Sequence, residues 1–136
     1  MKLLSIETSC DDTCISILEV KGGVTNANFK VLANSSNSQI PVHIPYGGVY
    51  PVLAKREHAK NLPIVLGDAL RQAHLTPSPL LVKERGSKKS IDVIAVTYGP
   101  GLEMCLWEGI SFAKNLAEKW KVPLIPENHM EGHILS

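Results

Sequence analysis

Ile91-Asp92-Val93-Ile94-Ala95-Val96-Thr97-Tyr98-Gly99-Pro100-Gly101-Leu102 is the stretch that decides the fold. Its first part, Ile91 to Thr97, is a compact apolar run suited to a buried strand, and Gly-Pro-Gly then ends it in a sharp turn. Beyond the turn, Leu106, Ile110, Ala113, Ala117 and Trp120 recur at helical spacing, and Val122 to Pro126 reads as one more short strand. Strand, helix, strand is the unit from which parallel sheets are built.

Toward the N-terminus the pattern is different. Leu3, Leu4 and Ile6 form a short apolar run, Asp11-Asp12 mark a turn, Cys14 to Val20 reads as a second strand closed by Gly22-Gly23, and a third strand lies around Phe29 to Asn34. Ser35 to Gly48, broken by Pro41, Pro45 and Gly47-Gly48, reads as a long exposed loop. From Val49 a helical period begins. Val49, Leu53, Leu62, Leu66, Ala69, Leu70 and Ala73 share one face, Lys55, Arg56, Glu57, Lys60, Arg71 and Gln72 fall largely off it, and Pro63 is expected to kink or divide the helix. A second polar break, Thr76 to Ser90, carries the basic run Lys83 to Lys89, which reads as a solvated loop. The order three strands, helix, strand, helix, strand predicts an α/β fold with a mixed sheet, an antiparallel meander followed by parallel strands, in a single domain spanning residues 1–136.

Composition narrows the function classes. The formal net charge is +1 with 20% charged residues, so the overall field steers the chain toward neither nucleic acid nor membrane, and any anionic partner is met locally. No apolar stretch reaches the ~18 residues of a membrane span, and Met1 to Ser5 leads into charged turn residues rather than a signal-peptide core. Cys10, Cys14 and Cys105 lack the close paired spacing of zinc ribbons or disulfide scaffolds. A cytoplasmic protein with reduced thiols is expected.

Three segments, each following a strand, can carry chemistry. In open α/β sheets, ligands gather in the crevice beyond the strand ends. The first segment, Glu7-Thr8-Ser9-Cys10-Asp11-Asp12-Thr13, offers hydroxyl and backbone donors to a phosphate and a carboxylate to orient Mg²⁺ or a nucleophile; taken alone it reads more readily as a polar hairpin turn. In the second, Thr97 to Leu102, the glycines allow close backbone approach to a ligand ahead of a helix N-terminus; Gly-Pro-Gly is also an ordinary turn. The third is the histidine pair of Asn128-His129-Met130-Glu131-Gly132-His133, whose i, i+4 spacing lets both rings reach one metal ion if the segment is helical. Two histidines that simply cap the segment or face solvent remain the alternative. A zinc protease is disfavoured, because Glu131 lies two residues after His129, about 200° around the helix and away from the face the rings share. Two ligands are also too few for a tetrahedral or octahedral ion, and no further one stands out upstream.

Taken in order, Ile6 to Thr13, Tyr46-Gly47-Gly48-Val49-Tyr50-Pro51, Arg56-Glu57-His58, Thr97 to Leu102, Gly109 to Lys114 and Asn128 to His133 closely resemble the N-terminal lobe of the TsaD family. These are tRNA threonylcarbamoyladenosine-modification proteins, formerly called O-sialoglycoprotein endopeptidases. The resemblance runs from about Lys2 to Leu135. It implies an actin-like, ribonuclease-H-like lobe of a two-lobe nucleotide-clasping protein, with a last helix only beginning at the C-terminus and the second lobe absent.

The implied activity is transfer of threonylcarbamoyl from threonylcarbamoyl-AMP to N6 of the adenosine that follows the anticodon, in tRNAs reading codons that begin with A. His129 and His133 match the family's metal ligands, for one divalent ion, iron first and zinc second. Asp11 is assigned the catalytic position. Thr8, Ser9, Gly99 and Gly101 are assigned contacts to ATP or threonylcarbamoyl-AMP. The missing lobe supplies a third ligand, an aspartate, so the chain alone is expected to be inactive. Implied partners are tRNA and TsaB-like and TsaE-like proteins, with no membrane.

The chain departs from the family's pattern at Pro51-Val52, where a Pro-Glu pair is common, and in the basic segment Lys83 to Ser90. Glu103 and Glu108 also place acids near a helix start, which favours the helix dipole but weakens phosphate binding. A TsaB-like scaffold without catalysis is the runner-up, disfavoured by the paired histidines, and a metal-dependent endopeptidase comes third.

Overall fold

The computed structural model describes residues 1–23, 25–75 and 91–135. Five strands form one sheet: β1 (Lys2–Glu7), β2 (Asp12–Lys21), β3 (Asn28–Ser38), β4 (Val93–Gly99) and β5 (Leu124–Asn128), in the order β3-β2-β1-β4-β5. β1, β2 and β3 are antiparallel neighbours, while β4 runs parallel to β1 and β5 parallel to β4. This is the expected mixed sheet.

Among the described residues, four α-helices pack with the sheet: α1 (Ile40–His43), α2 (Pro51–Gln72), α3 (Glu103–Trp120) and α4 (His129–Leu135). The alternation along the strands sorts the two faces of the sheet. Leu4 and Ile6 of β1, Ile15 and Ile17 of β2 and Ile94 and Val96 of β4 join Leu62, Val65, Ala69 and Leu70 of α2 and Ala113, Leu116 and Ala117 of α3 in one core. Each such leucine or isoleucine contributes ~1.5–3 kcal/mol by leaving water. The intervening residues Ser5, Glu7, Ala95 and Thr97 therefore face the opposite side.

Three sequence expectations need correction. Ser35 to Gly48 is not a long loop: β3 extends to Ser38, and α1 and a 3₁₀ turn at Ile44–Tyr46 follow. Serine and asparagine are poor strand formers, but pairing of Ser35, Ser36, Asn37 and Ser38 with β2 overrides that preference. Gln39 and His43 are buried there, and the chain is fastened by His43 Nε2 to Gln39 Oε1 at 3.0 Å and by the Tyr50 amide donating to His43 Nδ1 at 3.3 Å.

Pro63 does not divide α2, because it sits on the exposed side of a helix held by packing over its whole length. The buried face of α2 is also turned from the expected one. Ala54, His58, Asn61, Leu62, Val65, Ala69 and Leu70 face inward, so two polar side chains, His58 and Asn61, occupy core positions. Thr76 to Ser90, with the basic run, lies outside the described residues.

Candidate functional site

Because β1, β4 and β5 are mutually parallel, their C-terminal ends lie along one edge of the sheet. That edge carries the turn after Glu7, the Gly99-Pro100-Gly101 turn and the start of α4. All three candidate segments thus meet at the crevice where α/β folds collect ligands.

The first two segments are locked together. The Leu102 amide donates to the Ser9 carbonyl at 2.7 Å. A Cβ on Gly101 would stand 2.6 Å from that carbonyl oxygen, so only glycine admits the approach. Thr8 is fully buried and donates its hydroxyl to the Cys105 carbonyl at 2.9 Å, beside Gly109, where any Cβ would overlap the Thr8 Oγ1. Thr8 thus anchors the turn to α3, and its hydroxyl does not face the crevice. From the other side, His58 is fully buried. Its Nε2 lies 3.1 Å from the Cys10 carbonyl and its Nδ1 2.8 Å from Thr13 Oγ1. A carbonyl only accepts, so Nε2 carries a proton, and the threonine hydroxyl can donate to Nδ1 of a neutral ring. Burial lowers the His58 pKa, and the carboxylates Glu7, Glu108 and Asp11 only partly oppose this.

The third segment joins them through its histidines. Asn128 Oδ1 caps α4 by accepting from the amides of Met130 and Glu131, which sets the helix that brings both rings to one face. His129 and His133 stand edge to face, with their Nε2 atoms 3.1 Å apart. On its other nitrogen, His129 Nδ1 is 3.3 Å from Ser9 Oγ and 3.4 Å from Glu7 Oε2. Ser5, Glu7, Ala95, Thr97, Asn128, His129 and His133 line a cavity of about 390 Å³ on the face opposite the long helices. Burial alone would raise the Glu7 carboxyl, but hydrogen bonds from Ser9, Thr97 and His129 outweigh it and hold the pKa below the ordinary value. Glu7 is therefore an anion at neutral pH.

The donor set fits a metal ion in part. With metal–nitrogen bonds of ~2.0–2.1 Å, two nitrogens 3.1 Å apart subtend roughly 95–100° at a shared ion, between the octahedral and tetrahedral angles. Among the described residues, no group of three or more histidine, cysteine or acidic side chains could hold a metal, so further ligands would come from elsewhere. Glu131 is exposed and does not line the cavity.

Asp11 is placed apart from the histidines. It lines a second cavity, of about 370 Å³, with Ile40, His43, Ile44, Gly47, Gly48 and Val49, and its carbonyl accepts from the Gln39 amide. The carboxylate that reaches the histidines is Glu7. The sequence held a signal for it: residues 5 and 7 share a face by the period of two, and that face ends at the crevice. His58 carried no such signal, since a histidine on an amphipathic helix reads as surface.

A five-stranded sheet in this order, with long helices on one face and polar turns gathered at the ends of its parallel strands, defines a ribonuclease-H-like lobe. Solved structures agree on the fold. YeaZ from Pseudomonas aeruginosa has a TM-score of 0.56 at 19% identity, covering 93% of this chain and 42% of that one. RuvC from Thermus thermophilus has a TM-score of 0.54 at 10% identity, covering 94% of this chain and 62% of that one.

The family follows from sequence. The model of the family "TsaD: tRNA N6-adenosine threonylcarbamoyltransferase" matches residues 30–136. Curated relatives named tRNA N6-adenosine threonylcarbamoyltransferase are 46% identical in Thermosipho melanesiensis, covering 98% of this chain, and 45% identical in Persephonella marina, covering all of it. The chain belongs to the TsaD family. It spans about a third of the length of these relatives, 35% and 34% respectively. Among the described residues, no helix is long and apolar enough to cross a membrane.

Proposed function

We propose that this chain is the first lobe of a tRNA N6-adenosine threonylcarbamoyltransferase, and that a second lobe completes its site. The observation that carries the reading is the pair of Nε2 atoms 3.1 Å apart beside a crevice built from the three strand-end segments. Family membership supplies the reaction class: threonylcarbamoyl passes from threonylcarbamoyl-AMP to N6 of the adenosine following the anticodon, in the cytoplasm.

His129 and His133 would hold one divalent ion, iron first and zinc second, as imidazole favours. Such an ion supplies a Lewis acid that polarises a bound phosphate or carbamoyl oxygen. The chain's own residues form the wall of the site. Ser9 and the Gly99 to Gly101 turn would approach the phosphate side of ATP or threonylcarbamoyl-AMP, with Gly101 letting Ser9 pack against the turn. Thr8 holds that turn in place from beneath. Asp11, one wall of the neighbouring cavity, would orient the incoming amine or an ion. Glu103 and Glu108 near the start of α3 would weaken phosphate binding at that helix end. TsaB-like and TsaE-like proteins and tRNA are the proposed partners.

Joining this chain to the C-terminal two-thirds of the Thermosipho melanesiensis relative tests the reading. With TsaB-like and TsaE-like proteins supplied, the chimaera is expected to modify tRNA with threonylcarbamoyl-AMP as donor, the chain alone to give no product, and His133→Ala to remove activity from the chimaera. A folded chimaera without activity, or one indifferent to His133→Ala, overturns it. The scaffold alternative predicts the same indifference, and the paired rings count against it.

A further inference from the structure

We infer that Glu7 is the positioning residue of the histidine pair: its carboxylate accepts the Nδ1 proton of His129 and thereby fixes Nε2 as the nitrogen that binds metal. This rests on the metal-site reading above.

An ionised carboxylate has acceptors and no donor, so its approach to a ring nitrogen is attractive only when that nitrogen carries hydrogen. Glu7 Oε2 stands 3.4 Å from His129 Nδ1, while Oε1 is pinned by the Ser9 amide at 2.5 Å. A neutral ring protonated at Nδ1 presents its lone pair at Nε2, and that atom faces His133 Nε2. Ser9 Oγ, 3.3 Å from the same Nδ1, competes with Glu7; as a donor it would impose the opposite tautomer and turn an N–H toward the metal position. A charge-assisted bond to carboxylate is about twice as strong as a neutral one, so Glu7 decides the tautomer and Ser9 Oγ becomes a second acceptor.

The strand fixes the arrangement. Glu7 is the last residue of β1, paired with Cys14, and it shares the cavity face with Thr97 of β4. The orienting carboxylate is thus rigid sheet rather than mobile loop. Carboxylate-oriented imidazoles of this kind typically bind metal 10–100-fold more tightly than unoriented ones.

The test is Zn²⁺ titration of the chain at one fixed pH, followed by imidazole ¹⁵N NMR, with Glu7→Gln, Glu7→Ala and His133→Ala. With two ligands the absolute affinity is weak, so the ratio to wild type is read. In the metal-free wild type the His129 signals are expected to report Nδ1–H. Glu7→Gln and Glu7→Ala are expected to lose at least 10-fold in Zn²⁺ affinity and to move His129 toward Nε2–H, with folded spectra retained. A wild-type His129 found as Nε2–H overturns the inference without any variant. So do Glu7 variants that bind as tightly as wild type while His133→Ala does not, and that outcome leaves the metal-site reading standing. Wild type indistinguishable from His133→Ala removes the metal-site reading and this inference together.

Discussion

The Thr13–His58–Cys10 chain offers a double-mutant test of how the first loop is held. Thr13 and His58 are both fully buried and joined at 2.8 Å, and the far nitrogen of His58 bonds the Cys10 carbonyl at 3.1 Å. His58→Leu strands the Thr13 hydroxyl without a partner, and Thr13→Val strands Nδ1 of His58. Each single change should cost about 1–3 kcal/mol, the penalty for a buried polar group left unsatisfied. In the double variant neither group remains, and the Cys10 carbonyl belongs to an exposed residue that water can reach. The double variant should therefore be more stable than the sum of the singles by about 1–3 kcal/mol. Urea unfolding of the four proteins measures this directly. Additivity within about 0.5 kcal/mol would refute the buried chain, since that is the scatter of non-interacting sites.

The same histidine sets a pH response. Its folded pKa is depressed by burial, so below the ordinary imidazole value of about 6.5 the unfolded chain takes up a proton that the folded chain refuses. Wild-type stability should fall as pH drops from 7 toward 5, and His58→Leu should fall less; equal slopes in urea midpoints against pH would contradict this. Gly109→Ala should destabilise by about 1–3 kcal/mol, because the added methyl displaces Thr8 Oγ1 from Cys105, and Thr8→Ala in the same chain should recover part of the loss in thermal melts. Burial pushes the thiols of Cys14 and Cys105 up to about 11, and burial with the nearby Asp11, Asp12 and Glu7 raises exposed Cys10. Iodoacetamide at pH 8 should therefore label the native chain slowly, Cys10 first and Cys105 only on unfolding, as peptide mapping would show. Gly101→Ala should lower Zn²⁺ affinity by shifting the Ser9 carbonyl, 2.6 Å from the added carbon, and unchanged binding would separate that turn from the metal site.

The amphipathic periods and turn residues determined the class of the fold. The apolar run Ile91 to Thr97 supplied most of β4, which spans Val93–Gly99, the three early apolar runs became an antiparallel meander, and the three strand-end segments fell at one crevice because parallel strands put their C-terminal ends on one side. Local propensity failed where tertiary pairing ruled. The serine- and asparagine-rich end of β3 is strand because β2 offers partners for its backbone, and Pro63 rides through α2 because the helix is held by packing.

The site divides the same way. Four-residue spacing was enough to pair His129 with His133, since that relation is internal to one helix. Which carboxylate meets them was legible only in part: the period of two put Glu7 on the face that ends at the crevice, but nothing in the spacing set Asp11 apart from it. Glu7 and Asp11 are near neighbours in sequence, yet the turn sends one to the histidines and the other to a different cavity. Contacts between residues some 120 positions apart, such as those of Ser9 and Glu7 with His129, depend on the register of β1 against β4 and β5, and only the assembled sheet sets that register.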